Sequence, residues 1–511
     1  MLAKVKSSTV VGIEAKEVVV EVDVSGGLPG FSIVGLPDVA VRESINRVKA
    51  AIKNCGFHFP NRKITVNLAP ANIKKQGPSF DLPIALGILV ASGQIALEAL
   101  KDKVICGELS LDGNLLPIAG CLPCASLMEK CAINNLIIPS ENGKEAAIAR
   151  KIFVRPVENL SQAVSFLRNE IEIPAQKVNL RRIWQNKNCH TLDINDIKGQ
   201  MRAKRALQIA ASGGHNVLMI GPPGSGKTML AKCLPGILPK MSLNEALECT
   251  RIHSVCRLLS KKQALIVSRP FRAPHHTISD SALIGGGSYP RPGEISLAHN
   301  GILFLDELPE FRRNALEALR QPLEDGEITV SRASCSVVFP ANFMLIAAMN
   351  PCPCGYFTDP KRECHCTPLQ IQKYLAKISG PLLDRIDIHI EVPSLNYREM
   401  TQKPRGEESA SIRQTVEKTR TIQKQRHAKH NNIFNANLSP KGIEKYCQTT
   451  KEAKELLKMA IYELGLSARA YDKVLKIGRT IADLDNRESI TAEHISEAIS
   501  YRCLDRNIWA H

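Results

Sequence analysis

The chain has 511 residues, of which 44% are hydrophobic and 23% charged, the composition of an ordinary soluble protein long enough for several cores. The net charge of +17 favours a polyanionic partner, without choosing among DNA, RNA and an anionic membrane. No apolar run reaches the roughly eighteen residues of a spanning helix, and the start Met1-Leu-Ala-Lys-Val-Lys lacks the apolar stretch of a secretory leader, so no membrane role is expected.

From the N-terminus, Val18-Val-Val-Glu-Val-Asp-Val24 alternates as a half-exposed strand does, and Lys63-Ile-Thr-Val-Asn-Leu68 predicts another. Gly77-Pro-Ser-Phe-Asp-Leu-Pro-Ile-Ala-Leu-Gly87 starts a helix, and Gly107-Glu-Leu-Ser-Leu-Asp-Gly-Asn114 predicts a hairpin. Residues 1–172 therefore read as one α/β domain. Residues 173–195, with the charged Lys177-Val-Asn-Leu-Arg-Arg182, lose periodicity and read as a linker. A second α/β domain, 196–398, opens at Asp196, and the helix carrying Arg202, Lys204 and Arg205 reads as a solvated face.

Gly221-Pro-Pro-Gly-Ser-Gly-Lys-Thr228 follows the apolar run Asn216-Val-Leu-Met-Ile220 and precedes a helix-prone segment. That is the strand, loop and helix setting of a phosphate-binding loop. Gly221, Pro222, Pro223, Gly224, Ser225 and Gly226 would cradle the phosphates of ATP, because glycines let backbone amides converge and the helix start adds a favourable dipole. Lys227 would reach the β/γ-phosphates, and the Thr228 hydroxyl would ligate Mg²⁺. Ile302-Leu-Phe-Leu-Asp-Glu307 is a short apolar run ending in two carboxylates, as a buried parallel strand facing a ligand crevice would. Asp306 can hold Mg²⁺ and Glu307 can polarise the attacking water as general base. A third apolar run, Phe343-Met-Leu-Ile-Ala-Ala-Met-Asn350, ends in an amide that can orient that water.

Of the sixteen cysteines, most are isolated among apolar neighbours, which suits a reducing cytoplasm better than a disulfide framework. Cys352-Pro-Cys354 and Cys364-His-Cys366, in the loop 350–368, are different: four thiolates can close a tetrahedral structural Zn²⁺ site. His365 can replace one neighbour, and free thiols or an iron–sulfur cluster are the alternatives. Glu324–Phe339 has two alternating runs around Ser331-Arg-Ala-Ser334, a hairpin with Arg332 near its tip. Residues 399–511 look helical: Ile443 and Ala453 begin stretches of helical apolar spacing, and Thr491 begins another with a capping residue. The basic 403–429 segment reads as a solvated helix or a DNA-facing one.

The order Lys-Thr, Asp-Glu, Asn resembles AAA+ ATPases. Arg269-Pro-Phe-Arg-Ala-Pro-His-His-Thr-Ile-Ser279, Leu283-Ile-Gly-Gly-Gly287, Pro290-Arg-Pro-Gly-Glu-Ile-Ser-Leu-Ala-His299 and Leu305-Asp-Glu-Leu-Pro-Glu-Phe311 look like the magnesium-chelatase-like branch. Within it, the chain resembles the ComM/YifB family over nearly its whole length. The resemblance implies an N-terminal Lon-protease-like domain, a central AAA+ module and a C-terminal helical lid. It also implies a homo-oligomer, as a hexamer, acting on single-stranded and branched DNA as a branch-migration helicase in natural transformation. By the same likeness Gly380-Pro-Leu-Leu-Asp-Arg-Ile-Asp387 makes Arg385 the arginine finger of a neighbouring site, and Leu466-Ser-Ala-Arg-Ala-Tyr471 makes Arg469 the second sensor; a structural ion pair is the alternative for each. Gly199-Gln200 resembles the turn that shapes an adenine pocket. The 324–339 hairpin and the loop from His275 to Gly287 would enter the ring's pore, where Arg332 grips phosphate or, alternatively, is merely solvated.

In the Lon-like part, Ser79 falls at the nucleophile's position, but the segment Cys121-Leu-Pro-Cys-Ala-Ser126 has no lysine to serve as base, and Lys130 comes too late. The domain is therefore expected to lack protease activity. A chelatase subunit driving metal into a tetrapyrrole, an ATP-dependent protease and a non-enzymatic ATP-holding scaffold are the rival readings.

Overall fold

The computed structural model describes all residues except 186–191, 261–262, 288, 333–334, 358, 360–361, 396–405, 428–433, 465, 503 and 505–511. Cys503, Pro360 and the hairpin tip Ala333-Ser334 thus lie outside the described residues. The chain forms two compact units. One comprises 1–187 and takes in 243–267; the other comprises 188–242 and 268–511.

The first unit is built on a seven-stranded mixed sheet. Its spatial order is Gly30–Val34, Lys63–Ala69, Glu14–Ser25, Leu2–Val11, Lys103–Ile105, Asn135–Pro139 and Phe153–Val157. The first two strands in the chain pair antiparallel from Leu2↔Asp23 to Val11↔Glu14. The expected alternation is realised there: Val18, Val20, Val22 and Val24 are buried, and the residues between them are more exposed. The helix Asp81–Ala91, preceded by the turn Pro78–Phe80, is buried along every residue, so its continuous apolar run reflects a central position. The predicted hairpin forms between Glu108–Leu109 and Leu115–Leu116.

The segment 243–267 leaves the chain just after the phosphate-loop helix and folds as part of this first unit. Its helix Leu243–Val255 packs on the helix Cys121–Cys131. The Gly120 amide donates to the Ser254 carbonyl at 3.4 Å, and the Ser254 hydroxyl bonds Glu145.

The second unit holds a five-stranded, wholly parallel sheet in the order Phe271–Arg272, Ile302–Leu305, Met344–Met349, Val217–Ile220, Ile388–Glu391. Three of these strands are buried at every position, which is why they read as unbroken apolar runs. The strand Val217–Ile220 lies between the two that follow last in sequence, so the crossovers diverge beside it and leave a crevice at its C-terminal end. The helices Ser409–Arg426, Pro440–Tyr446, Lys451–Leu464, Ala468–Leu484 and Ala492–Ser500 share one apolar core with this sheet, joining Val416, Leu457, Ile481 and Ile495 to Leu234 and Ile346. The last helix is closed at its start by His494, whose Nδ1 accepts from the Thr491 amide at 3.1 Å.

Two readings of basic helices are corrected. Lys204 is buried and donates to the Ile197 carbonyl, and half-buried Arg205 meets Glu497 at 3.1 Å, so these two make packing contacts; Arg202 is exposed, as expected of a solvated face, and donates to the Ser500 carbonyl at 2.7 Å. On Ser409–Arg426, Arg413 donates to Gly236, Arg420 to Ala211, and Arg426 to Asp483. Only Lys418 and Lys424 among its cations stay exposed, since guanidinium forks suit backbone carbonyls and carboxylates inside a fold.

Candidate nucleotide site and four-cysteine loop

The crevice is assembled from the ends of three parallel strands. Val217–Ile220 delivers the glycine-rich turn and the helix Lys227–Ile237. Gly224 and Gly226 take φ of +78° and +92°, the left-handed region that glycine enters freely. Nothing lies within 4 Å of where a Cβ would stand on either, so the loop presents open backbone to an anion. Gly221 is required for packing instead: a Cβ there would sit 2.1 Å from the Val392 carbonyl oxygen. The Ser225 hydroxyl is buried and has no hydrogen-bond partner, as expected of a group kept for a phosphate oxygen. The Ser225 carbonyl accepts from Gln200 at 3.4 Å, which ties the Gly199-Gln200 turn to the loop; Gln200 also donates to the Pro393 carbonyl at 2.7 Å.

Lys227 Nζ donates to the carbonyls of Gly221 and Pro222 at 2.7 and 2.9 Å and lies 3.3 Å from Asn350 Oδ1. Burial lowers its pKa to about 8, against the pull of Asp306 and Glu307. A triphosphate would supply the missing counter-charge. Thr228 Oγ1 donates to Asp306 Oδ2 at 2.8 Å, so the two expected magnesium ligands are already together. Glu307 follows with φ of +54°, a costly conformation for a side-chain-bearing residue, and its carboxylate is half exposed. His276 Nδ1 stands 3.3 Å from Glu307 Oε2, and its ring lies 4.1 Å, centre to centre, from that of His275 at a tilt of 34°. Nothing in a single chain pointed to that histidine as Glu307's partner. The donor set therefore fits ATP with Mg²⁺.

The two arginines are not part of this cluster. Arg385 donates to the Pro381 carbonyl at 2.6 Å and pairs with Glu324. Arg469 pairs with Asp384 at 2.6 Å and is 69% exposed, so it stands beside the segment that carries Arg385. Within one chain both make ion pairs.

Beyond Asn350, Cys352, Cys354, Cys364 and Cys366 converge, all four sulfurs lying within 4.8 Å of one another. The closest pairs are 3.3, 3.6 and 3.7 Å apart. A tetrahedral zinc with arms of about 2.3 Å would have edges of roughly 3.8 Å, so the sulfurs stand close to the required spacing. His365 is exposed and outside the cluster.

The strands Glu327–Arg332 and Cys335–Pro340 pair antiparallel, with Arg332 opposite Cys335. Arg332 is exposed and reaches the other candidate insert: a Cβ on Gly286 would lie 2.9 Å from its Nη2. In the first unit, the backbone donors at the helix start at Cys121 are satisfied by side chains. Glu145 accepts from the Leu122 amide at 2.9 Å, Asn142 from the Ile118 amide at 3.0 Å, and Lys130 is exposed in the helix's last turn. Among the described residues no helix is long and apolar enough to cross a membrane.

Comparison with known proteins places these features in a family. The model for magnesium chelatase subunit ChlI matches residues 193–400, that for subunit ChlI of Mg-chelatase matches 20–142, and that for the ChlI C-terminal region matches 406–502. Competence protein ComM of Haemophilus influenzae is 46% identical over 511 residues, 99% of this chain and 98% of that protein. YifB of Salmonella typhimurium is 42% identical over 508 residues, again 99% and 98%. A Lon protease of Trichlorobacter lovleyi is 25% identical over 170 residues, 31% of this chain and 21% of its own length. With a phosphate-loop crevice, a five-stranded parallel sheet and full-length kinship of this order, the chain belongs to the ComM/YifB family of magnesium-chelatase-like AAA+ ATPases.

Proposed function

We propose that this ATPase is a DNA translocase that works as a hexameric ring and drives branch migration of recombining strands, in the service of natural transformation. The observation that carries the reading is the convergence of Lys227, Thr228, Asp306, Glu307 and Asn350 on one crevice, with Arg385 engaged elsewhere. Such a site is complete only when a neighbouring protomer supplies a guanidinium. Arg385, released from Glu324, and Arg469 beside it would serve the next subunit's γ-phosphate. Bound ATP and Mg²⁺ supply the phosphoryl chemistry. In the chain itself, Lys227 neutralises phosphate charge, Thr228 and Asp306 hold the metal, Asn350 orients water and Glu307 takes its proton.

The basic balance of the chain and the proximity of Arg332 to Gly286 support two adjacent inserts that hold a phosphate backbone without reading bases. The relative's name, competence protein, supports the setting. The four thiolates hold Zn²⁺ in this reading, and the N-terminal unit serves assembly or partner contact. The test is strand displacement on a four-way junction and a fork by wild type and Lys227→Ala. Wild type is expected to displace strands with ATP and the variant to do so on neither substrate. ATP hydrolysis without movement on any branched substrate would overturn the translocase reading.

A further inference from the structure

We infer that the four-thiol loop braces the nucleotide site, so that the ion it takes sets how tightly the chain holds ATP. The inference rests on the reading of those cysteines as a zinc site and adds a consequence for the crevice.

The loop leaves the sheet at Met349 and returns in the helix Pro368–Leu375. Asn350 at its root touches Lys227, and Cys352, two residues on, is buried. The loop then turns at Gly355, whose φ is +85°. That turn lies directly against the phosphate loop: a Cβ on Gly355 would stand 2.8 Å from Pro223 Cδ and 3.8 Å from Asn350 Cγ. Phe357 donates its amide to Cys352 Sγ at 3.3 Å. On the return helix, Tyr374 is buried. The loop is thus tied at its root through Asn350 to Lys227, gathered by its four converging sulfurs, and laid on Pro223 at Gly355.

Among the described residues between Met349 and Pro368 there is no helix or strand, so fixing that stretch costs conformational entropy that an ion would offset. Without the ion, only weak thiol contacts hold the four sulfurs together. The pairs Cys352–Cys364 and Cys354–Cys364 would part, and Gly355 would be free to leave Pro223. The phosphate loop would then lose a wall and Asn350 one of its supports. Coupling of this kind is reciprocal: if zinc tightens ATP, ATP tightens zinc by the same factor.

The probes are zinc itself and a fluorescent non-hydrolysable ATP analogue, applied to the full-length chain. Wild type is expected to carry one zinc, counted by mass spectrometry, and saturating analogue is expected to protect it from a chelator by about tenfold, a usual size for linked sites. Removal of the zinc, or Cys364→Ser with Cys366→Ser, should weaken the analogue by the same factor. Gly355→Ala keeps all four thiols, so its zinc content should be normal while analogue affinity falls. Adding Pro223→Ala should recover part of that loss, because the collision is relieved while the strain at positive φ stays. A zinc-loaded chain whose analogue affinity and chelator resistance do not depend on each other would overturn the brace and leave the zinc site standing. A chain that takes no zinc even when supplemented would overturn the metal reading first, and the brace with it.

Discussion

Two helix starts in this molecule resemble each other in position and differ in what surrounds them. At Gly226-Lys227 the chain keeps open backbone, an unsatisfied Ser225 hydroxyl, a lysine with depressed pKa and paired magnesium ligands. At Gly120-Cys121, in the Lon-like unit, the corresponding space is closed: Glu145, Asn142 and the Ser254 carbonyl satisfy the local donors, and no lysine approaches from that helix. A site that is to act keeps costly unpaired groups, whereas one that has become structural satisfies them. The sharpest way to break this contrast is Lys227→Ala, which should lower ATP turnover by roughly 10²–10³-fold, as loss of a charge aimed at the reacting centre does. Phosphate release at saturating DNA reads the effect; a variant near wild-type rate would remove Lys227 from the chemistry.

Next in size is the buried charge cluster behind the nucleotide strand. Asp387 is 3% exposed, bonds His215 Nδ1 at 3.0 Å and pairs with Lys473, while His215 Nε2 meets Thr480 at 2.8 Å. Burial alone would raise its pKa, but the charge of Lys473 and the bond from His215 hold it well below the ordinary aspartate value. A depressed carboxylate stabilises the fold above its unfolded pKa and loses that contribution only as pH falls through the folded value. Asp387→Asn leaves Lys473 without its counter-charge and should cost about 3–5 kcal/mol, read as a lowered denaturant midpoint. A midpoint unchanged from wild type would show that the cluster is solvated rather than buried.

Much of this was legible beforehand because its signals are local. A phosphate loop, a run ending in Asp306-Glu307 and paired Cys-x-Cys clusters carry their chemistry within a few residues, and the unbroken apolar strands announced a parallel sheet. What stayed hidden depends on contacts across long stretches of chain. His276 reaches Glu307 only after two strands pair, and Gly355 meets Pro223 only when the cysteine loop folds back on the phosphate loop. The segment 243–267 looked continuous with its neighbours and joins the first unit by packing. The basic helices misled for a related reason: a row of Lys and Arg looks the same whether it faces water or carbonyl groups.

Glu145 offers a smaller test in the closed site. Burial raises its pKa above the usual glutamate value, so the native state holds a proton that the unfolded chain releases earlier. Stability of the first unit should therefore fall as pH rises from about 4.5 through the folded value, the sign expected when the native state binds more protons. Glu145→Gln imitates the protonated acid, keeps an acceptor for Leu122, and should flatten that dependence in a pH series of unfolding curves. A slope unchanged by the substitution would assign the effect to another group.

The smallest expected effect is the most specific one. Ser79 occupies the short turn before the buried helix Asp81–Ala91, and its carbonyl already accepts the Gly107 amide at 2.8 Å. The buried Lys75, four residues earlier, spends its ammonium on the Pro70 carbonyl. A hydroxyl without an adjacent base is a poor nucleophile, and its loss from a turn that is held by backbone costs little. Ser79→Ala should leave ATP turnover, strand displacement and thermal midpoint at wild-type values, and neither form should cleave casein with or without ATP. Casein cleavage by wild type that the substitution abolishes would mean that a base reaches Ser79 from elsewhere, and the contrast between an open and a closed helix start would fail at its closed end.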